Sequence, residues 1–262
     1  RIRKKQNMSK ITRSTNPALT KEIFAAQSRV SSQTGTMTVE GTVNKTLIMF
    51  LLLAVGAYYT WRLFFNAASP EAGASAVVTW IAIGGIGGFI TALVTIFKKT
   101  WASITAPIYA VLEGLFIGGL SAFFEARFPG IVMQAVALTF GVLLVLLAAY
   151  KTGVIKVTKK FRSGVIAATG AVALVYFLSI ILQLFGVQVV IFQPTLLGIG
   201  ISIVIVIIAA LNLVLDFDFI YKGSQAGAPK HMEWYGAFGL ILTLVWLYIE
   251  ILRLLSLIAG RE

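Results

Sequence analysis

The sequence predicts an all-α polytopic membrane protein: a seven-transmembrane-helix bundle with the seventh span at its centre. Three observations carry this. The chain of 262 residues is 58% hydrophobic and only 12% charged, about half the charged fraction of ordinary soluble domains. Seven apolar stretches lie between Thr46 and Ile258, and each reaches the ~20 residues that cross ~30 Å of hydrocarbon at ~1.5 Å per residue. The small and polar residues of the last stretch, Gly236, Gly239, Thr243, Trp246, Glu250 and Arg253, recur at three- and four-residue intervals. That spacing keeps them on one helix face, and such a stripe faces protein rather than lipid. A membrane barrel would show short alternating segments in place of continuous apolar runs.

Taken in order, residues 1–45 form a basic cytoplasmic arm carrying nine of the 22 Lys and Arg residues. It is rich in Ser, Thr, Asn and Gln and expected to be largely flexible, with a short amphipathic piece from Leu19 to Phe24 suited to the membrane surface. No secretory signal is expected in it, and Met8 is a candidate start. The spans follow at 46–66, 76–97, 103–123, 131–150, 164–185, 194–217 and 234–258. They are separated by breakers at Asn66 to Pro70, Pro129-Gly130, Gly186, Gln193-Pro194 and Gly223 to Pro229. Residues 46–258 therefore form one transmembrane domain, and 259–262 a short external tail.

Counting Lys and Arg outside the spans gives 18 on the side of the arm and two, Arg127 and Arg261, on the other. This bias predicts a cytoplasmic N-terminus and an external C-terminus. Trp61 and Trp80 near the outer span ends, and Trp101 and Trp234 near the inner ones, suit an interfacial aromatic belt. The net charge of +12 thus belongs to membrane topology, and no nucleic-acid partner is expected.

The absence of cysteine and the single histidine, His231, leave no thiolate metal site, no disulfide and no cysteine or histidine-paired nucleophile within a span. No glycine-rich phosphate loop is present. An enzyme is not expected, nor is a cofactor.

Function is therefore sought in the acids. Ionisable groups at membrane depth are costly and mark functional sites by default. Glu113 and Glu250 fall within spans 3 and 7, at ~15 Å and ~22–24 Å from the inner edge by helical rise. Thr105, Tyr109 and Glu113 share a face of span 3, beside a close-packing Gly114/Gly118 pair. The Gly84-Gly85 and Gly87-Gly88 pairs read as a packing face of span 2. Asp216 shares a face of span 6 with Asn212, whereas Asp218 lies ~200° around the helix and reads as an interfacial charge near Lys222. Arg253, one turn beyond Glu250, is placed to pair with it. Two carboxylates meeting in low dielectric hold a proton between them and titrate as a unit.

Leu211-Asn-Leu-Val-Leu-Asp216-Phe-Asp-Phe-Ile220 in span 6 and Leu247-Tyr-Ile-Glu250-Ile-Leu-Arg-Leu-Leu255 in span 7 resemble the Bax inhibitor, or transmembrane Bax inhibitor motif, family. Asn16-Pro-Ala-Leu is similar to its bacterial branch. The resemblance covers residues 46–258. It implies a seven-helix protein of the bacterial plasma membrane with a central span 7, acting as a pH-sensitive calcium-leak channel gated by an acidic pair. Its partners would be the lipid bilayer and permeating Ca²⁺ and H⁺. Carried over, the pair is Asp216 with Glu250, which would also supply transient oxygen ligands for Ca²⁺. Glu in place of the usual Asp at position 250, the additional Asp218 and a longer loop between spans 6 and 7 depart from the pattern. By depth alone Glu113 is the alternative partner of Glu250. The competing reading is a non-conducting regulator that binds another membrane protein, such as a quality-control protease.

Overall fold

The computed structural model describes residues 35–261. The expected amphipathic piece at Leu19 to Phe24, Met8 and most of the basic arm lie outside the described residues. Seven helices follow: α1 (Val39–Phe65), α2 (Pro70–Phe97), α3 (Ala102–Arg127), α4 (Ile131–Lys151), α5 (Lys159–Leu184), α6 (Leu196–Gln225) and α7 (Met232–Ala259). All seven are long and apolar enough to cross a membrane. The chain is a multi-pass membrane protein whose helices sit in a lipid bilayer.

Local chemistry sets the ends. Thr38, Ser69, Thr158 and Thr195 cap α1, α2, α5 and α6, each side-chain oxygen accepting a backbone N–H of the first turn. Pro70 occupies the first position of α2, where its missing N–H costs nothing. Gly130 and Gly186, in the turns after α3 and α5, have φ of 87° and 78°, a left-handed conformation that glycine adopts without strain.

The helices overrun the expected apolar spans mainly at the basic end. α1 begins at Val39, seven residues before Thr46, and α6 continues to Gln225, eight residues beyond 217. Hydropathy locates the hydrocarbon, while backbone hydrogen bonding carries a helix on into the interface. Arg162, assigned by sequence to the connecting loop, consequently lies in the first turn of α5.

α7 is central. It packs against α1, α3, α4 and α6, and α6 is its main neighbour. α1, α2 and α3 form a second tight group. There Gly114 and Gly118 of α3 meet the backbone of α1, where a Cβ would overlap the Leu53 and Ala57 carbonyls. Gly84 of α2 sits against α3 so closely that a Cβ would lie 2.5 Å from the Leu112 carbonyl oxygen. With lipid tails as apolar as the side chains, such close approach is what holds membrane helices together. α5 is peripheral and rests mainly on α6.

The polar stripe on α7 does face neighbours, but the opposite side is not free. Val245, on the side of α7 opposite that stripe, is buried too, because a central helix has no lipid-facing side.

Candidate functional site

Glu250 is 3% exposed and fully engaged. Arg253 Nη2 donates to its Oε2 at 2.7 Å, Tyr176 Oη to its Oε1 at 2.6 Å, and Trp246 Nε1 to the same oxygen at 3.0 Å. The helix periodicity that put Trp246, Glu250 and Arg253 on one face explains two of these bonds. The third comes from α5. Arg253 also lies over the rings of Tyr176 and Phe192, at 5.3 and 5.9 Å from their centroids. Ser202 of α6 is 3.5 Å from its Nη2. The carboxylate charge is thus matched within one helical turn, at the end of the bundle opposite the basic one.

Asp216 is differently placed. It lies across from Gly239 of α7, where an added Cβ would come within 3.8 Å of its Oδ1. Gly239 is eleven residues before Glu250, so the two acids differ in level by ~16 Å. The expected Asp216–Glu250 pair does not form, and in this conformation the two cannot share a calcium ion. Because α6 runs on to Gln225 before the turn to α7, Asp216 is set opposite the early part of that helix.

Buried Asp216 Oδ2 accepts no hydrogen bond among the described residues. Asp216 lines a cleft of about 330 Å³ between α5, α6 and α7. Arg162 and Ile166 line this cleft from α5, Phe219 from α6, and Tyr235, Gly236 and Gly239 from α7. The missing side chain of Gly239, whose Cβ would face Asp216, leaves room there.

Glu113 does not meet Glu250 either. It faces α2, with an Oε2 placed 3.0 Å from where a Cβ on Gly88 would be. Glu250 turns toward α5 and α6, the other side of the bundle, so lying within the same membrane core does not bring the two together. Thr105 likewise faces α2, its hydroxyl 2.7 Å from that of Thr95. Tyr109 packs edge-on against Phe238 of α7, ring centroids 5.0 Å apart.

Asp218 is near Lys222 as expected, at 2.8 Å, but it is no loose surface charge. It is 4% exposed, and Arg162 of α5 donates to it at 2.6 Å while Tyr150 of α4 stands 3.4 Å away. Asn212 donates from Nδ2 to Thr169 Oγ1 of α5 at 2.8 Å.

Arg162, Thr169 and Tyr176 are seven residues apart on α5. Each reaches one of the acids or amides singled out on α6 and α7, namely Asp218, Asn212 and Glu250 in turn. None of the three was recognised from sequence. Their seven-residue spacing in an otherwise apolar span was the available sign, since it places them on one face.

A second missed group closes the basic end. Glu233 is 0% exposed and accepts from the backbone N–H and hydroxyl of Thr38, both at 2.9 Å. Lys230 donates at 2.8 Å, and Lys45 forms a further ion pair with it. Residues 36–37 run beside Ala228 and Pro229, with Met37 N–H donating to the Ala228 carbonyl at 2.7 Å. The start of α1 is thereby tied to the start of α7, so part of the region expected to be a flexible arm is folded.

Among the described residues no three His, Asp or Glu side chains gather as a metal site. No curated protein and no solved structure matches the chain. A family model described as Bax inhibitor 1 like matches residues 16–260, taking in the later part of the arm, all seven helices and both acidic motifs, and the chain belongs to the Bax inhibitor family.

Proposed function

We propose that the protein is a pH-sensitive cation leak channel, with Ca²⁺ the favoured ion, and that Asp216 is the carboxylate that meets it. The observation that carries this reading is the contrast between the acids. Glu250 and Asp218 have their charges matched by Arg253, Arg162 and Lys222, whereas an Asp216 oxygen is buried at the wall of a cleft without a protein donor. A buried polar group without a partner costs free energy, and a cation or proton in the cleft supplies what is missing. Carboxylate oxygen is the ligand that hard cations such as Ca²⁺ prefer.

Arg162, Asp218 and Lys222 lie at the basic end of the cleft, with Tyr235 and Thr243 facing from α7. The Glu250 network lies further along α7 and acts as the closed far end of the path. With the basic end cytoplasmic, as the charge bias predicts, ions would move between Asp216 and the outside once that network parts.

The test is Ca²⁺ flux into liposomes containing the purified chain and a trapped indicator, measured across pH. The expected result is flux that varies with pH and falls at least about tenfold in Asp216→Asn, equivalent to about 1.4 kcal/mol in the rate-limiting state. Flux no greater than that of empty liposomes at every pH would instead favour the non-conducting regulator. Flux unchanged in Asp216→Asn would move the path elsewhere.

A further inference from the structure

A second cavity, of about 300 Å³, lies on the other side of α7. α1 and α4 pack mainly on α3 and α7, which leaves a furrow between them with α3 and α7 as its floor. Phe50 and Phe140 close its inner end in an edge-to-face contact, centroids 5.4 Å apart. Its wall is aliphatic and aromatic except for Thr139, whose hydroxyl donates to the Ala135 carbonyl of its own helix at 2.7 Å. The two hydroxyls at its floor, Ser121 and Tyr248, bond each other at 2.7 Å and ask nothing of an occupant. Its other end is framed by Tyr58 and Trp61, and there Arg62 lies over the Tyr58 ring at 5.8 Å from its centroid. Arg62 is exposed and carries its charge at the last turn of α1.

We propose that this furrow holds one acyl chain of an anionic phospholipid, whose phosphate sits on Arg62. The shape is that of a slot closed at one end and open at the membrane surface. At about 30 Å³ per water-sized unit, it has room for roughly ten methylene-sized groups. Apolar cavities of half this size take up hydrophobic guests, and this one opens directly onto lipid tails. Its chemistry admits no polar chain inside and places a cation where a headgroup begins. Arg suits a phosphate because its planar fork meets two oxygens at once. The site lies apart from the Asp216 cleft and does not depend on whether the protein conducts ions. Its consequence is that α1 and α4, which touch each other through Phe50 and Phe140, are bridged by lipid beyond that contact.

The experiment is native mass spectrometry of the purified full chain in detergent, titrated with dioleoyl phosphatidylglycerol. The expected result is one lipid retained per chain. Filling the furrow with Val136→Trp should weaken retention at least about tenfold, and Arg62→Gln should weaken it by a similar factor. Leu144→Trp, on the exposed side of α4, should leave it unchanged, and inorganic phosphate should not compete. If Val136→Trp fails to fold by circular dichroism, Leu244→Trp fills the same furrow from α7. Retention unaffected by either filling variant overturns the proposal. So does equal loss in Leu144→Trp, which would mark the lipid as part of a general coat, and so does competition by inorganic phosphate alone.

Discussion

The two flanks of α3 and α6 are held by opposite means. On one flank α1, α2 and α3 touch backbone to backbone through Gly84, Gly114 and Gly118, and an added Cβ at these positions would meet main-chain atoms. On the other flank α5 has two glycines of its own, Gly164 and Gly170, and a Cβ added at either meets nothing within 4 Å. α5 is joined instead by Arg162, Thr169 and Tyr176, one polar contact every two turns. Backbone packing has no intermediate state, because separating it forfeits every dispersion contact at once. Polar contacts can be exchanged for water, a proton or an ion. Under the proposed function the first flank would stay shut and the second would open, and the cleft beside Asp216 lies on the second.

The largest effect should come from the tight flank. Gly118→Leu drives a side chain into the Ala57 main chain, and a loss of more than about 4 kcal/mol is expected. Thermal unfolding in detergent should show little assembled protein. A mild effect would mean that α1 and α3 can move apart, and the contrast would fail.

Next is Arg253→Met, which leaves Glu250 charged and buried with only the Tyr176 and Trp246 donors. Breaking a buried pair in this way costs about 3–5 kcal/mol. Adding Glu250→Gln should restore most of that stability, because the uncompensated charge is gone. If the double variant is no more stable than the single, the pair is not what Arg253 provides.

The smallest effects belong to α5. Tyr176→Phe removes one donor to Glu250 and should cost about 1 kcal/mol, with a larger change in flux than in stability. Gly170→Ala, facing open space, should be neutral or stabilising by up to about 1 kcal/mol. A cost like that of Gly118→Leu would show α5 to be packed as tightly as α3.

Which of these features the sequence could reveal follows from their range. The seven spans rest on local composition, and a protein-facing side of α7 follows from a stripe with one period, so both were legible; the full enclosure of α7, which buries Val245 as well, was implied by the family resemblance. The Gly114 and Gly118 contacts were legible too, since small residues four apart have few other uses in a membrane. The pairing of acids was not. Depth along a helix can be counted from sequence, but the direction a residue faces across the bundle depends on which helices are neighbours. Glu113 and Glu250 lie within the same membrane core and point to opposite sides. Counting depth along spans 6 and 7 already sets Asp216 ~15 Å nearer the basic end than Glu250; their pairing was implied by the family resemblance alone, and the extension of α6 to Gln225 does not close the gap. Glu233 escaped notice because its partners Thr38 and Lys45 are nearly two hundred residues away. The α5 contacts were missed because Thr and Tyr in an apolar run read as ordinary.

The difference between the flanks is tested most directly by locking each in turn. The chain has no cysteine, so introduced pairs report alone. Thr169→Cys with Asn212→Cys can be bridged by a short thiol cross-linker to fix α5 on α6. Thr95→Cys with Thr105→Cys, whose hydroxyls are 2.7 Å apart, fixes α2 on α3. Calcium flux in liposomes should stop when the first pair is bridged, return on cleavage of the bridge, and remain unchanged when the second pair is bridged. Flux that survives the α5 lock, or stops with the α2 lock, would place the moving element on the wrong flank.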